Sequence, residues 1–181
     1  MNNKLTKIPL INEIKEIHRE GIINHCLDLP ENLKGSTHNH QNWEGGYFDH
    51  INQVMKISKI LVKTFVMEPL LTDVLLVAYL HDIEKAHPDL REQYPPEEIL
   101  SMMNTKYEFN LSENHFNAIK YAHGEGNDYN KNGRVMSKLA AVLHSADVLS
   151  SRVFHNFPNC VTWDELFGKQ IDAVKDMVIK K

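Results

Sequence analysis

Apolar residues recur at helical spacing along most of the chain, and no stretch of useful length alternates with period two. Ile11, Ile14, Ile17, Ile22 and Ile23 predict a first helix over about Pro9 to Leu27, with Pro9 tolerated in its first turn. Residues 30–46 read as a loop rich in Pro, Gly, Ser, Thr and Asn. From Tyr47, the positions His50, Val54, Ile57 and Leu61 form one face of a helix. Pro69 opens a helix that is apolar nearly all round (Leu70, Leu71, Val74, Leu75, Val77, Leu80), hence central, and it delivers His81 and Asp82 at its C-terminal end. Pro95-Pro96 restarts the chain into a helix through Met103, and Ser112 caps another that ends near His123. Residues 124–133 are a loop, and Met136 to Val153 is helical with His144 and Asp147 on one face. Thr162 to Glu165 fits a capping box for a last helix over about Trp163 to Ile179. The pattern predicts an all-α fold, one domain of six to eight helices over residues 1–181.

Composition narrows this little. A chain of 181 residues, 42% hydrophobic and 24% charged, buries one good core. Its net charge of −4 speaks against long nucleic acid held through phosphate neutralisation, but not against a small phosphorylated ligand paired with a metal. Cys26 and Cys160 form no CxxC pair and read as free thiols. The N-terminus mixes charge into every turn, unlike a signal peptide, and Val74 to Leu80 is too short to span a bilayer, so no membrane partner and a cytoplasmic protein are expected. The apolar stripe of the first helix admits a homodimer.

The candidate chemistry lies in polar residues set on or beside apolar stripes: His50, His81-Asp82, His123, His144 and Asp147. One such histidine is usually a satisfied core residue. Several arriving together on different helices suggest a cage for Mn²⁺, Fe²⁺, Co²⁺, Ni²⁺, Zn²⁺ or Mg²⁺. His50, His81, Asp82 and Asp147 supply four ligands from three rigid elements, leaving water positions open, and the aspartate of the pair can bridge two ions. His18, His25, His87, His115 and His155 read as structural or solvated.

The order of these residues resembles the HD-domain metal-dependent phosphohydrolase superfamily, whose signature is H…HD…D. HNHQNWEGGYFDH (38–50), HDIEK (81–85), YAHGEG (121–126) and LHSADVLSSR (143–152) are similar to one branch, which includes the HD domain of certain bacterial 3′-to-5′ exoribonucleases. The resemblance covers about residues 38 to 152. It implies His50, His81, Asp82 and Asp147 as ligands of a first ion and Lys85 as a phosphate contact. His123 and His144 match positions that hold a second ion or meet the substrate. Glu84 stands where glycine is usual, and Ala122 where a second histidine precedes His123, so one ion is expected, with a second admitted.

The expected activity is hydrolysis of a phosphoester or phosphoanhydride of a small nucleotide by metal-activated water. Lys85 and Arg152 would clamp phosphate, and His123 is the candidate proton donor. His38, His40, Trp43, Tyr47 and Tyr129 are candidate substrate contacts. The alternatives are a 3′-to-5′ exonuclease or oligonucleotidase, an HD-fold di-iron oxygenase, and a non-catalytic nucleotide-binding module.

Overall fold

The computed structural model describes residues 3–36 and 40–155. Among these, helix dominates and no strand forms; a single bridge joins Asn130 and Gly133. The α-helices are α1 (Asn3–Lys7), α2 (Glu16–Asp28), α3 (Gly46–Thr64), α4 (Leu71–Leu80), α5 (Ile83–Ala86), α6 (Pro88–Arg91), α7 (Pro96–Tyr107), α8 (Glu113–Lys120) and α9 (Lys138–Val148). Three of them are single turns, so the six of eight residues or more match the expected all-α bundle.

α4 is the axis of the bundle. Every residue from Val74 to Leu80 is fully buried, as its all-round apolar character requires, and α3, α8 and α9 pack around it. α3 lays Tyr47, His50, Ile51, Val54 and Ile57 into the core and contacts both α4 and α9. No helix among the described residues is long and apolar enough to cross a membrane.

Local chemistry moved several predicted boundaries. The expected first helix is broken: Pro9–Glu13 forms a 3₁₀ turn, Ile14 and Lys15 are extended, and α2 begins at Glu16. Spacing of three between Ile11 and Ile14 suits a 3₁₀ turn as well as an α-helix, and the Arg19 guanidinium donates to the Ile14 carbonyl left free at the break. Pro69 sits in a 3₁₀ turn (Glu68–Leu70) ahead of α4, and α7 runs on to Tyr107. Ser112 caps α8: its Oγ accepts from the His115 amide while its own amide donates to His115 Nδ1. α8 stops at Lys120, so His123 lies in the following turn. α9 is shorter than expected because its hydrogen bonding widens into a π turn over Leu149–Val153. The predicted final helix, with Cys160, lies outside the described residues, as does His38.

The loop before α3 is pinned by the Gly45-Gly46 pair. Gly45 has φ +79°, and a Cβ on Gly46 would stand 2.0 Å from the Gln41 carbonyl oxygen. That backbone approach seats the segment carrying His40 and Gln41 against α3. Helix propensity alone would make Gly46→Ala stabilising by about 0.5–1 kcal/mol. The clash instead predicts a loss of about 1–3 kcal/mol, to be read as a lowered urea midpoint at unchanged m-value.

Candidate metal centre

Three elements meet at one buried point. α3 contributes His50, the end of α4 contributes His81 and Asp82, and α9 contributes Asp147. The two histidines and Asp82 are 0–2% exposed and Asp147 is 7%. His50 Nε2 lies 3.2 Å from His81 Nε2 and 3.3 Å from both Asp82 Oδ2 and Asp147 Oδ1. His81 Nε2 is 3.5 Å from Asp82 Oδ2 and 3.7 Å from Asp147 Oδ1. The ligand atoms of His50, His81 and Asp147 all fall within 4.8 Å of one another. Asp82 joins from the side, its Oδ2 also accepting from the Lys85 ammonium.

The tautomers follow from the outer hydrogen bonds. Ser150 Oγ donates to Gln53 Oε1 at 2.6 Å, an atom that can only accept; the hydroxyl oxygen must therefore accept from His50 Nδ1–H at 3.0 Å. His81 Nδ1–H donates to the Ala78 carbonyl at 2.8 Å. Both rings thus turn unprotonated Nε2 lone pairs toward each other and toward two carboxylates. Such a set of acceptors is stable only around a cation, and fixed Nδ1–H donors of this kind are what metal-ligating histidines carry. Asp82 Oδ1, buried without a hydrogen-bond partner, is a further ligand-ready atom. The donor set fits a divalent ion of the histidine–carboxylate class, with no preference among its members.

Without an ion, a proton supplies the charge. Burial opposes a charge on His81, yet Asp82 and Asp147 raise its pKa to about 9. Burial also works against ionising Asp147 and Asp82, but the contacts with His50 and His81 hold the first well below the carboxylate range, and His81, His123, His50 and Lys85 do the same for the second.

The aspartates face two ways. Their other oxygens approach His123 Nε2, Asp82 Oδ1 at 3.5 Å and Asp147 Oδ2 at 3.7 Å. Contact with Asp82 outweighs burial and raises the His123 pKa above its usual value. His144 donates from Nδ1 to the Ala122 carbonyl at 2.8 Å, leaving its Nε2 bare as well.

A cavity of about 320 Å³ opens beside the centre, lined by His40, Lys85, His123, His144, Asp147, Val148, Ser151 and Arg152. Positions 144, 147, 148, 151 and 152 are one helical stripe, carried across the π turn. The structure therefore brings Lys85, His123, His144 and Arg152 to the predicted site, and His40 with them. The His40 ring lies 4.8 Å from that of His50, and its buried Nε2 has no hydrogen-bond partner. Burial, then His50, lowers its pKa to about 4.

The aromatic candidates for base stacking are not brought there. Tyr47 is fully buried in the core, the Trp43 indole N–H donates to Asp49 at 2.8 Å, and Tyr129 is 61% exposed in the loop before α9. Aromatic character in a sequence does not distinguish a core ring from a stacking platform. Sequence reasoning also missed the supporting shell of Ser150, Gln53 and Gln41, all fully buried; Gln41 Nε2 donates to Gln53 Oε1 at 2.9 Å. Gln53 lies three residues after His50 and Ser150 three after Asp147, so polar residues on the ligand stripe were the available signal.

A second group, His18, Asp73 and His115, also has ligand atoms within 4.8 Å of one another. Two of its three members are already engaged by other partners. Ser112 N–H donates to His115 Nδ1, so neutral His115 carries its proton on Nε2, 3.5 Å from Asp73 Oδ1, and Lys15 Nζ is 2.6 Å from the same oxygen. The arrangement ties α2, α4 and α8 together, in line with the structural reading of His18 and His115.

No protein-family model, curated protein or solved structure matches the chain. Its chemistry is therefore read from donor set and geometry.

Metal uptake must displace the His81 proton. Apparent Mn²⁺ affinity, measured by calorimetry, is expected to rise about tenfold per pH unit between roughly pH 7 and 9 and to level above, with proton release falling in parallel. Without metal the sign reverses: the raised His81 pKa stabilises the fold fully below about 6.5, and that stability is lost as pH rises through about 9. Ser150→Ala, which frees His50, is expected to weaken Mn²⁺ binding about 10- to 100-fold in a folded protein.

Proposed function

We propose that this protein is a metal-dependent phosphohydrolase that cleaves a phosphoester or phosphoanhydride of a small nucleotide. The observation that carries the reading is the juxtaposition of two features. A buried cage of His50, His81, Asp82 and Asp147 turns only acceptors inward, and a cationic cavity beside it holds Lys85 and Arg152. The resemblance of HDIEK and LHSADVLSSR to HD-domain phosphohydrolases supports the same assignment.

His50, His81, Asp82 and Asp147 would hold the ion. When bound, a divalent ion supplies Lewis acidity, which makes water nucleophilic near neutral pH and offsets charge on a phosphoryl oxygen. Lys85 and Arg152 supply positive charge to the phosphoryl group entering the cavity. Lys85 is paired to Asp82; with that carboxylate holding an ion, the ammonium would be available to phosphate. His123, whose pKa contact with Asp82 raises, stands at the cavity wall as the candidate proton donor to the departing oxygen. The His40 ring lies against that of His50 at the cavity wall.

A second reading has one observation in its favour. Because both aspartates present their second oxygen to His123, the centre admits a second ion, as a di-iron oxygenase would need. Iron content and oxygen consumption separate the two.

With Mn²⁺ and a panel of nucleoside mono- and triphosphates, cyclic nucleotides and short RNA, mass spectrometry is expected to show one nucleotide losing a phosphoryl group. Asp82→Ala should abolish it by at least about 10³-fold, and Lys85→Ala should act mainly through KM. Mononucleotides released from RNA would turn the assignment to an exonuclease. No product sensitive to Asp82→Ala would refute hydrolysis.

A further inference from the structure

A second cavity, of about 240 Å³, reaches the centre at His81, and His123 lines both. Its walls are Ile83 from α5, Leu100 from α7, and Phe116 and Ile119 from α8. The volume is below the roughly 300–1,000 Å³ of sites that enclose a whole drug-sized ligand. It suits a single ring system whose remainder lies elsewhere.

Its polar lining is mostly committed. Asn117 donates to the Val135 carbonyl and accepts from the Ser137 amide, and Lys120 is paired with Asp128 at 2.7 Å. His81 and His123 belong to the metal centre. Two carboxylates remain: Glu97 is exposed at the start of α7, whereas Glu84 is 7% exposed and hydrogen-bonds its own backbone amide, with Asp82, Lys85 and His81 as charged neighbours. A buried acceptor with free lone pairs facing an apolar slot costs free energy unless a ligand supplies donors.

We propose that the cavity between α5, α7 and α8 receives the base of the nucleotide, and that Glu84 selects a ring edge presenting adjacent N–H donors, as guanine does. A carboxylate accepts through two oxygens, matching a ring N–H beside an exocyclic amine. The flat apolar walls, with Phe116, take the ring faces. The inference rests on the hydrolase reading for the placement of phosphate in the cationic cavity, but its test does not need turnover.

Calorimetry on Mn²⁺-loaded protein would compare non-hydrolysable 5′-phosphonates of guanosine, of inosine (which lacks the 2-amino group) and of ribose alone. Guanosine is expected to bind about tenfold tighter than inosine, and inosine tighter than ribose. Glu84→Gln should bring guanosine and inosine within about twofold at unchanged Mn²⁺ affinity, because a donor replaces one acceptor. Phe116→Ala should weaken both nucleosides and leave ribose unchanged. Equal binding of guanosine and inosine, a preference that survives Glu84→Gln, or a base that adds nothing over ribose would overturn the proposal. Should Glu84→Gln not fold, the wild-type ranking decides alone. A preserved ranking without turnover of the matching phosphates sinks the hydrolase and keeps the base site; turnover without a ranking does the reverse.

Discussion

Two imidazole nitrogens without protons, 3.2 Å apart in the fully buried interior, repel each other unless a positive charge stands with them. Neither ring can relieve this by changing tautomer, because Ser150 and the Ala78 carbonyl hold the Nδ1 protons. Nor can the carboxylates help, since Asp82 and Asp147 only accept when ionised. The packing of α3, α4 and α9 thus commits the chain to a cation at this point. A proton on His81 meets the need in the ion-free protein and is the competitor a metal must displace.

The comparison with His18, Asp73 and His115 shows why proximity of ligand-type residues is a weak criterion. Both groups bring two histidines and an aspartate together on different helices. In one, a backbone amide occupies the His115 lone pair on the far side and a lysine neutralises the aspartate. In the other, the outer bonds remove the protons from the inner edge. Second partners decide which cluster asks for an ion, and these are invisible to spacing.

The bundle and its ligands were legible in the sequence because both are periodic. Seven successive buried positions in α4 and a polar residue on the apolar stripe of α3 leave their mark on hydrophobic patterning. What was not legible depends on the third dimension. The break at Ile14-Lys15 turns on a guanidinium that reaches back from Arg19. The π turn of α9, one residue wider than an α turn, carries no composition signal, yet it follows directly on the stretch bearing His144 and Asp147 and holds Ser150 and Arg152. Trp43, Tyr47 and Tyr129 were misplaced because ring chemistry is the same in a core, on a helix shoulder or in solvent, and only burial separates them.

Local charge at the centre differs from the net charge of −4. Lys85, Arg152 and His123 gather with Asp147 around one cavity, while the second cavity, which shares His123, is largely apolar with Glu84 and Glu97 in its wall. A ligand that satisfies both sides must be anionic at one end and donor-bearing at the other. Inorganic phosphate answers only the first condition and an uncharged ring only the second. Field strength falls off within about 10 Å at ordinary salt, so the acidic remainder of the surface does not cancel this local asymmetry. Under the proposed reading, a nucleotide would span the two environments, whereas a long polymer would need a continuous basic track.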